Sequence, residues 1–370
     1  MSKLCLIYNT APRYREAVFH AIDSEYDCDW YFGEPKTDIK EMDLSLLKRT
    51  HYYKTCGNPS KLYWKRSILG LLFKKKYQNF FMLAESRSIT DYLFFGLAYF
   101  LFPKKHIYIW THGWYGKERG IIAKLKLWQF KVVTGVFVYG NRAKKLLMDQ
   151  GIPSSKLFVI HNSLDYDTQK ALRDSMLPTN VYKNRFKNNY PTLIFIGRLT
   201  KVKKLDMIIG AIAMLREKDE EYNLVFVGDG AERKSLEKQV VDLHLQNNIW
   251  FYGACYDEKQ NAELVYNADL CVSPGNIGLT AIHSLMFGCP AITHGDFKWQ
   301  MPEFEAIQSG VTGDFFERDN TENLALAISR WFSTKSDKRE EVRRACYKEI
   351  DEQWNPSFQM KVIRASLKIK

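Results

Sequence analysis

The sequence lacks three things that would each have named a class of protein. It has no C-x-x-C pair among its seven cysteines, Cys5, Cys28, Cys56, Cys255, Cys271, Cys289 and Cys346. Several of these lie in apolar, strand-like runs, so they read as buried thiols in a reducing compartment, not as a disulfide framework or a zinc site. It has no run long enough to span a bilayer: the longest apolar stretch, Tyr92 to Pro103, is about half of what a span needs. The opening MSKLCLIYNTAPRYREA carries only a short apolar run with no small-residue cleavage site after it, so no secretory signal is read there. A cytoplasmic chain without a transmembrane helix is the expectation. Finally, the turn after the first strand, Asn9 to Arg15, has no G-x-G-x-x-G, which removes the dinucleotide-binding fingerprint.

A fourth absence is local. From Leu44 to Ala84 there is no acidic residue, while the stretch carries Lys48, Arg49, Lys54, Lys61, Lys65, Arg66, Lys74, Lys75 and Lys76. Tyr52, Tyr53, Tyr63, Trp64, Ile68, Leu69, Leu71, Leu72 and Phe73 are interleaved with them. A basic helix with an apolar face is the pattern of an interfacial anchor on an anionic membrane. The alternative is a basic surface helix that packs on its own sheet. Nucleic acid is a third possible partner, but RNP aromatics and KH loops are missing.

What is present describes a folded protein of two domains. The 370 residues are 46% hydrophobic and 26% charged, with a formal net charge of +12. That composition excludes disorder, and the positive balance points to an anionic partner. Strands at Leu4–Tyr8, Tyr26–Phe32, Asn79–Glu85, Lys105–Thr111, Gly135–Tyr139 and Leu157–Ile160 alternate with helical segments, including Glu16–Ser24, Asp91–Phe102 and Ala143–Gln150. About six strands alternating with helices make one doubly wound domain. Arg13 and Arg15 after the first strand either meet an anionic ligand or are solvated charges at a helix start. His112 ends a strand before Gly113, where open α/β sheets bind ligands, or else is a structural histidine beside Trp110 and Trp114.

A polar stretch, Tyr166 to Tyr190, reads as the interdomain connection plus a short helix. A second α/β domain follows, with strands at Thr192–Ile196, Asn223–Val227, Ile249–Tyr252, Leu270–Val272 and Pro290–Thr293. Helices are expected near Leu205–Glu217, Glu232–Leu243 and Lys259–Tyr266, and a basic helical tail from about Lys335. Its centre is LCVSPGNIGLTAIHSLMFGCPAITHG, Leu270 to Gly295, which reads as strand, glycine turn, helix, strand. A glycine turn feeding a helix offers backbone N–H groups and the positive end of the helix dipole, which suits a phosphate. Most such turns bind nothing, so the surroundings decide.

Those surroundings resemble glycosyltransferase family 4. Ile196-Gly197-Arg198-Leu199-Thr200-Lys201-Val202-Lys203-Lys204-Leu205 is similar to its "GRL…KG" segment. Val227-Gly228-Asp229-Gly230, Phe251-Tyr252-Gly253 and Tyr266 to Pro274 resemble the segments that follow. Gly288-Cys289-Pro290-Ala291-Ile292 resembles "GxPVI", and Phe304-Glu305 with Gly310-Val311-Thr312-Gly313 resembles "PE…G.TG". Together they cover most of residues 191–320 in family order. In the first domain, Thr111-His112-Gly113 and Ile160-His161-Asn162-Ser163 give a sparser match.

The resemblance implies the GT-B fold, two doubly wound Rossmann-like domains facing a cleft. It divides the chain into an acceptor-side domain at 1–165, a connection at 166–190, a nucleotide-sugar domain at 191–345 and a helical tail at 346–370 that returns to the first domain. It implies a retaining transfer of a hexosyl or deoxyhexosyl group from a nucleoside-diphosphate sugar to a glycan or lipid-diphosphate-linked acceptor, with no metal and no cofactor. Capsule or O-antigen assembly on the cytoplasmic face of the membrane is the expected setting, with residues 48–76 as the membrane contact. Breaking the bond from sugar C1 to phosphate builds negative charge on the diphosphate, so fixed cations and N–H donors stabilise the transition state. Arg198 and Lys203 suit that task as a fork and a point charge. His112 is implied beside the donor sugar. Gly275, Asn276, Ile277, Gly278, Leu279 and Thr280 would supply backbone donors, and His283 and Glu305 would complete the donor site.

The sequence departs from the family at one place. The family carries two Glu eight positions apart across the glycine turn and its helix; here those positions hold Gly275 and His283. A glycine makes no side-chain hydrogen bond to the donor sugar, and a histidine meets a ribose hydroxyl without a fixed negative charge. Asp296, Glu303 and Glu305 are the acidic candidates nearby. A divergent transferase is the reading. The alternatives are an inactive binding-only relative, a nucleotide-sugar epimerase of the same fold, and a basic nucleic-acid-binding protein.

Overall fold

A computed structural model of the chain describes residues 3–34, 41–58 and 60–367. They form two compact units, Met1–Asp165 with Asn355–Lys370, and Tyr166–Trp354.

In the first unit the strands are β1 (Lys3–Tyr8), β2 (Cys28–Gly33), β3 (Thr50–Tyr53), β4 (Thr55–Gly57), β5 (Tyr63–Lys65), β6 (Tyr77–Leu83), β7 (His106–Thr111), β8 (Gly135–Val138) and β9 (Leu157–Val159). The helices are α1 (Glu16–Glu25), α2 (Ile89–Leu101), α3 (Gly120–Val132) and α4 (Asn141–Asp149). Seven strands make one sheet in the order β3-β2-β1-β6-β7-β8-β9, and every pair in it is parallel. Strand alternation sends β1 to both faces: Leu4, Leu6 and Tyr8 enter one core, Cys5 and Ile7 the other. That is why these strands read as continuous apolar runs. The order reverses direction between β1 and β6, which opens a crevice at the carboxyl ends of those strands.

The basic stretch is not a helix. It forms β3, the β4–β5 hairpin and a short 3-10 turn at Leu69–Phe73. Some of its apolar side chains are committed to the unit's own core: Tyr53, Ile68, Leu71 and Leu72 are buried, while Tyr52, Leu62 and Phe73 are exposed. Several of its cations are committed as well. Arg49 pairs with Asp27 and Asp29, and Lys76 with Asp29 at 2.7 Å. Lys65 is fully buried between Asp91, at 2.9 Å, and Glu85, at 3.0 Å. The absence of local acids hid these pairings, because every partner lies outside the stretch. β3 adds a seventh strand to the six expected.

The second unit opens with α5 (Tyr166–Ser175) and α6 (Val181–Phe186), so the expected connection is largely helical. Then come β10 (Thr192–Ile196), α7 (Asp206–Arg216), β11 (Asn223–Val227), α8 (Arg233–Asp242), β12 (Ile249–Gly253), α9 (Glu258–Asn267), β13 (Leu270–Ser273), α10 (Leu279–Met286), β14 (Ala291–His294), β15 (Gly313–Phe316), α11 (Thr321–Lys335) and α12 (Arg339–Gln353). The six strands are parallel in the order β12-β11-β10-β13-β14-β15. Here the order reverses between β10 and β13. The last helix, α13 (Pro356–Ser366), belongs to the first unit and packs on α1. Met360, Ile363 and Leu367 enter its core, and Arg364 forks onto Glu25.

The Lys65–Asp91 pair sets a stability test. Burial pushes the Asp91 carboxyl up and the Lys65 charge opposes it. Removing Lys65 strands the buried Asp91 carboxylate beside Glu85, which costs ~3–5 kcal/mol. Lys65→Met is therefore expected to lower urea stability by about that amount. Adding Asp91→Leu and Glu85→Gln should recover most of it, and a Lys65→Met loss below about 1 kcal/mol would contradict the pairing.

Candidate active site

In the second unit the loops that follow β10, β11 and β13 converge at the reversal of strand order. Their approach is closer than side chains allow. A Cβ on Gly228 would overlap the carbonyl oxygen of Gly197, and one on Gly275 would overlap that of Val202 and crowd Lys203. Two hydrogen bonds then join the loops. The Gly275 N–H donates to the Lys203 carbonyl at 3.0 Å, and the Lys203 ammonium donates to the Asn276 carbonyl at 2.5 Å. Lys204, in the left-handed region at φ 52°, turns the chain away into α7.

Behind the turn, Gln300 fastens the backbone from β14's side. Its Oε1 accepts from the Ile277 N–H at 3.0 Å, and its Nε2 donates to Thr293 Oγ1 at 2.7 Å. Thr293 donates to the Gly275 carbonyl at 3.1 Å. Thr280 Oγ1 donates to the Ile196 carbonyl at 3.1 Å, tying α10 to the end of β10. Gly278 caps α10 with φ 56° and no side-chain cap. The expectation that the whole Gly275–Thr280 backbone offers donors needs correction. The N–H groups of Gly275 and Ile277 are already bonded inside the unit. Asn276 and Gly278 and the first turn of α10, Leu279 and Thr280, keep their N–H groups for a ligand, the last two because no helix satisfies them internally.

The cations differ in state. Lys203 is largely buried, and burial lowers its ammonium to about 8, with the Arg198 charge adding to the shift and Glu303 opposing it. Arg198 is exposed and makes no side-chain hydrogen bond or ion pair among the described residues. The carboxylate acting on Lys203 is Glu303, which is buried; Glu305, favoured from the family motif, is half-buried in the same 3-10 turn, Pro302–Ala306. Both are among the acidic candidates of the sequence, where the family motif favours Glu305 for the donor site.

His283 sits one turn further along α10. Its Nε2 lies 2.9 Å from Glu258 Oε1, and the same oxygen accepts from Gln169 Nε2 at 2.7 Å. Glu258 and Gln169 were not singled out in the sequence. They come from α9 and α5, and no local spacing links them to α10.

In the first unit, a cavity of about 370 Å³ opens at the carboxyl ends of β6 and β7. Glu85, Arg87, Thr111, His112, Tyr115 and Lys126 line it. Burial lowers the His112 imidazole to about 4, helped by the charges of Arg15 and Lys126, so the ring is neutral at pH 7. Its Nδ1 is buried without a hydrogen-bond partner among the described residues. Arg15 is neither solvated nor at the surface, contrary to one expectation. It is buried, with its guanidinium 4.6 Å from the Trp110 ring and donating to the Tyr139 hydroxyl. Arg13 is exposed. Among the described residues, no group of three His, Cys, Asp or Glu side chains could hold a metal ion.

Two parallel Rossmann-like sheets, each reversing its strand order once, define the GT-B class of α/β fold. The chain matches solved structures of that class over nearly its whole length. It superposes on Anabaena HepE in complex with UDP with a TM-score of 0.69 at 16% identity, covering 99% of both chains. The lipopolysaccharide outer core galactosyltransferase WaaB gives 0.71 at 13% identity, covering 99% of this chain and 100% of that one. Residues 178–349 match the family model of the glycosyl transferases group 1. Among curated relatives, the poly(glycerol-phosphate) alpha-glucosyltransferase of Bacillus subtilis is 28% identical over 36% of this chain and 20% of its own length. An uncharacterized 41.2 kDa protein in the cps region of Klebsiella pneumoniae is 24% identical over 79% of this chain and 78% of its own. The chain spans only 20%, 30% and 38% of the first three curated relatives it matches. The likenesses to solved structures show the GT-B fold.

The state of Lys203 gives a pH test. Its folded value, about 8, lies below the ordinary 10.5. Burying the charged form therefore costs stability below pH 8, and stability rises between pH 8 and 10.5 as the unfolded chain alone holds the proton. Anion binding runs the other way, since the charged form is what attracts it. Pyrophosphate affinity is expected to fall by about tenfold per pH unit above that value. Lys203→Met should weaken binding and flatten the profile; an unchanged profile in that variant would exclude Lys203 from the site.

Proposed function

We propose that this protein is a retaining glycosyltransferase that moves a sugar from a nucleoside-diphosphate sugar to a glycan or lipid-linked oligosaccharide of a surface polysaccharide. The observation that carries the reading is the junction of the β10 and β13 loops: one exposed guanidinium, one buried ammonium and the N-terminus of α10 meet at the strand-order reversal. In the reaction the bond from C1 to the diphosphate oxygen breaks and a bond from C1 to an acceptor oxygen forms. Negative charge collects on the leaving diphosphate. Arg198 meets it as a fork, Lys203 as a fixed point charge, and the Leu279 and Thr280 N–H groups as donors already oriented by the helix. Because Lys203 and the first turn of α10 are held by hydrogen bonds within the unit, they need little reorganisation as the charge develops.

His283 takes the nucleotide ribose in this reading. Its contact with Glu258 orients the ring, and Glu258 brings a carboxylate 2.9 Å from that imidazole. Neutral His112 serves as a hydrogen-bonding group toward the transferred sugar, not as a charge. The printed names of the relatives support the class: sugars from GDP-mannose in a mycobacterial mannosyltransferase, UDP bound in HepE, and a cps-region protein of matching length.

A second reading, a binding-only relative, is favoured by Gly275. The backbone of Val202 and Lys203 occupies the space that a carboxylate side chain there would need. Thermal unfolding with UDP, GDP, dTDP, CDP and CMP, each alone, comes first. A ligand at about 100 times its dissociation constant adds about 2.7 kcal/mol. One nucleoside diphosphate is expected to stabilise the protein selectively, and Arg198→Ala to keep the fold while losing transfer from the matching sugar nucleotide by about a hundredfold or more. Selective binding with no transfer to any lipid-linked acceptor would establish the binding-only reading. Near-normal turnover in Arg198→Ala would remove Arg198 from the mechanism.

A further inference from the structure

We propose that the outward face of α2 and α3, extended by Phe73, lies on the surface of an anionic lipid bilayer. The inference does not rest on sugar transfer. α2 reads ITDYLFFGLAYFL, and its one charged residue, Asp91, turns inward to Lys65. Ile89, Leu93, Gly96 and Phe100 recur at helical spacing along its other side, and none is buried; Phe100 is 72% exposed. α3 repeats the arrangement with Ile121, Leu125, Trp128 and Val132, where Ile121 is 68% exposed. The two stripes join: the Trp128 ring lies 3.4 Å from where a Cβ on Gly96 would be. At the end of α2, Phe73 meets Phe102 edge-on at 5.2 Å and is itself 64% exposed. A helix of a water-soluble unit ordinarily turns polar residues outward. Two adjacent helices that do the opposite mark an interaction surface.

Charge says what covers it. In residues 60–78, 86–106 and 117–133 every exposed charged residue is Lys or Arg; the two acids there are Asp91, buried, and Glu118, paired with Lys126 at 3.0 Å. Lys124 and Lys131 run along one border of the α3 stripe, and Lys74, Lys75 and Lys104 stand beside Phe73. A second copy of the same face would bring two all-cationic rims together, which repels. A surface of anionic headgroups over an apolar interior complements both features at once. At 13 residues each, α2 and α3 are too short to cross a bilayer, so the face lies along it. The membrane contact expected from the basic stretch thus moves: Lys74 and Lys75 stay in it as rim, while the apolar part comes from two helices further along the chain.

The test is co-sedimentation of the full chain with vesicles of phosphatidylcholine containing about a third phosphatidylglycerol, and with pure phosphatidylcholine. Binding is expected only with the anionic vesicles. Phe100→Glu with Ile121→Glu should lower the partition coefficient by about tenfold or more, with circular dichroism unchanged. Lys124→Gln with Lys131→Gln should lower it by about fivefold for each charge. Quenching by brominated lipid should shrink in Trp128→Phe. Equal binding to neutral vesicles overturns the proposal, as does a Phe100→Glu/Ile121→Glu variant that binds like the parent. A dimer that this variant dissolves, with no vesicle binding by the parent, would assign the face to a second copy instead.

Discussion

The constraint on which the candidate site depends is the contact between the Lys203 segment and Gly275. Two hydrogen bonds and the lack of a Cβ bring the loops of β10 and β13 into backbone contact. Much else depends on that contact. Burial there lowers the Lys203 ammonium to about 8, and the contact ties it to the Asn276 carbonyl just before α10. It takes up the Gly275 N–H and leaves the first turn of the helix to face a ligand. Gln300 and Thr293 then fix the same turn from behind, so the geometry is set before any ligand arrives. A site of this kind stabilises a developing charge through groups that cannot relax away from it.

The first unit handles charge differently. Its buried ions are paired, Lys65 with Asp91 and Glu85, and Arg49 and Lys76 with Asp29. Arg15 lies over Trp110, and with Lys126 and burial it keeps His112 neutral. A parallel sheet covered by helices on both faces leaves few places for unpaired charge. The surplus cations are therefore at the rim of the α2–α3 face and in loops. The net charge of +12 is a sum over two roles, internal pairing and external attraction, that composition alone cannot separate.

How far the sequence could be read follows from the range of the interactions involved. The strands of the second unit were legible to within a residue or two, because each is a short apolar run closed by Gly, Asp or Pro. The β10 and β13 loops were legible as a glycine-rich pair at family spacing. The basic stretch was misread because period-based reasoning sees only its own segment. Its apolar residues do not follow a helix, and the partners of Lys65, Arg49 and Lys76 lie 20–47 positions away. The same limit hid Glu258, which reaches His283 from another helix, and Gln169, which bonds to Glu258 from a third. α3 was passed over because its apolar residues occupy nearly all sides, so no amphipathic pattern announced it.

The two departures from the family pattern can be treated as one. At position 275 a glutamate would need the volume that Val202 and Lys203 fill, so the missing side chain and the approach of the Lys203 segment require each other. The approach gives the ammonium a backbone anchor on Asn276. At position 283 a histidine is shorter in charge than a glutamate, yet it ends 2.9 Å from Glu258. The carboxylate is thus still present near α10, moved onto α9 and joined through an imidazole whose free nitrogen can face a ribose hydroxyl. With Gln169 bonded to the same oxygen, Glu258 is held in position by two partners. In the proposed reading, a backbone hydrogen bond from Lys203 takes the place of a side chain at position 275, and His283 with Glu258 takes the place of the second carboxylate. Both exchanges change the surroundings of the turn more directly than they change the Lys203 ammonium or the first turn of α10, because those two are the groups the new contact fastens.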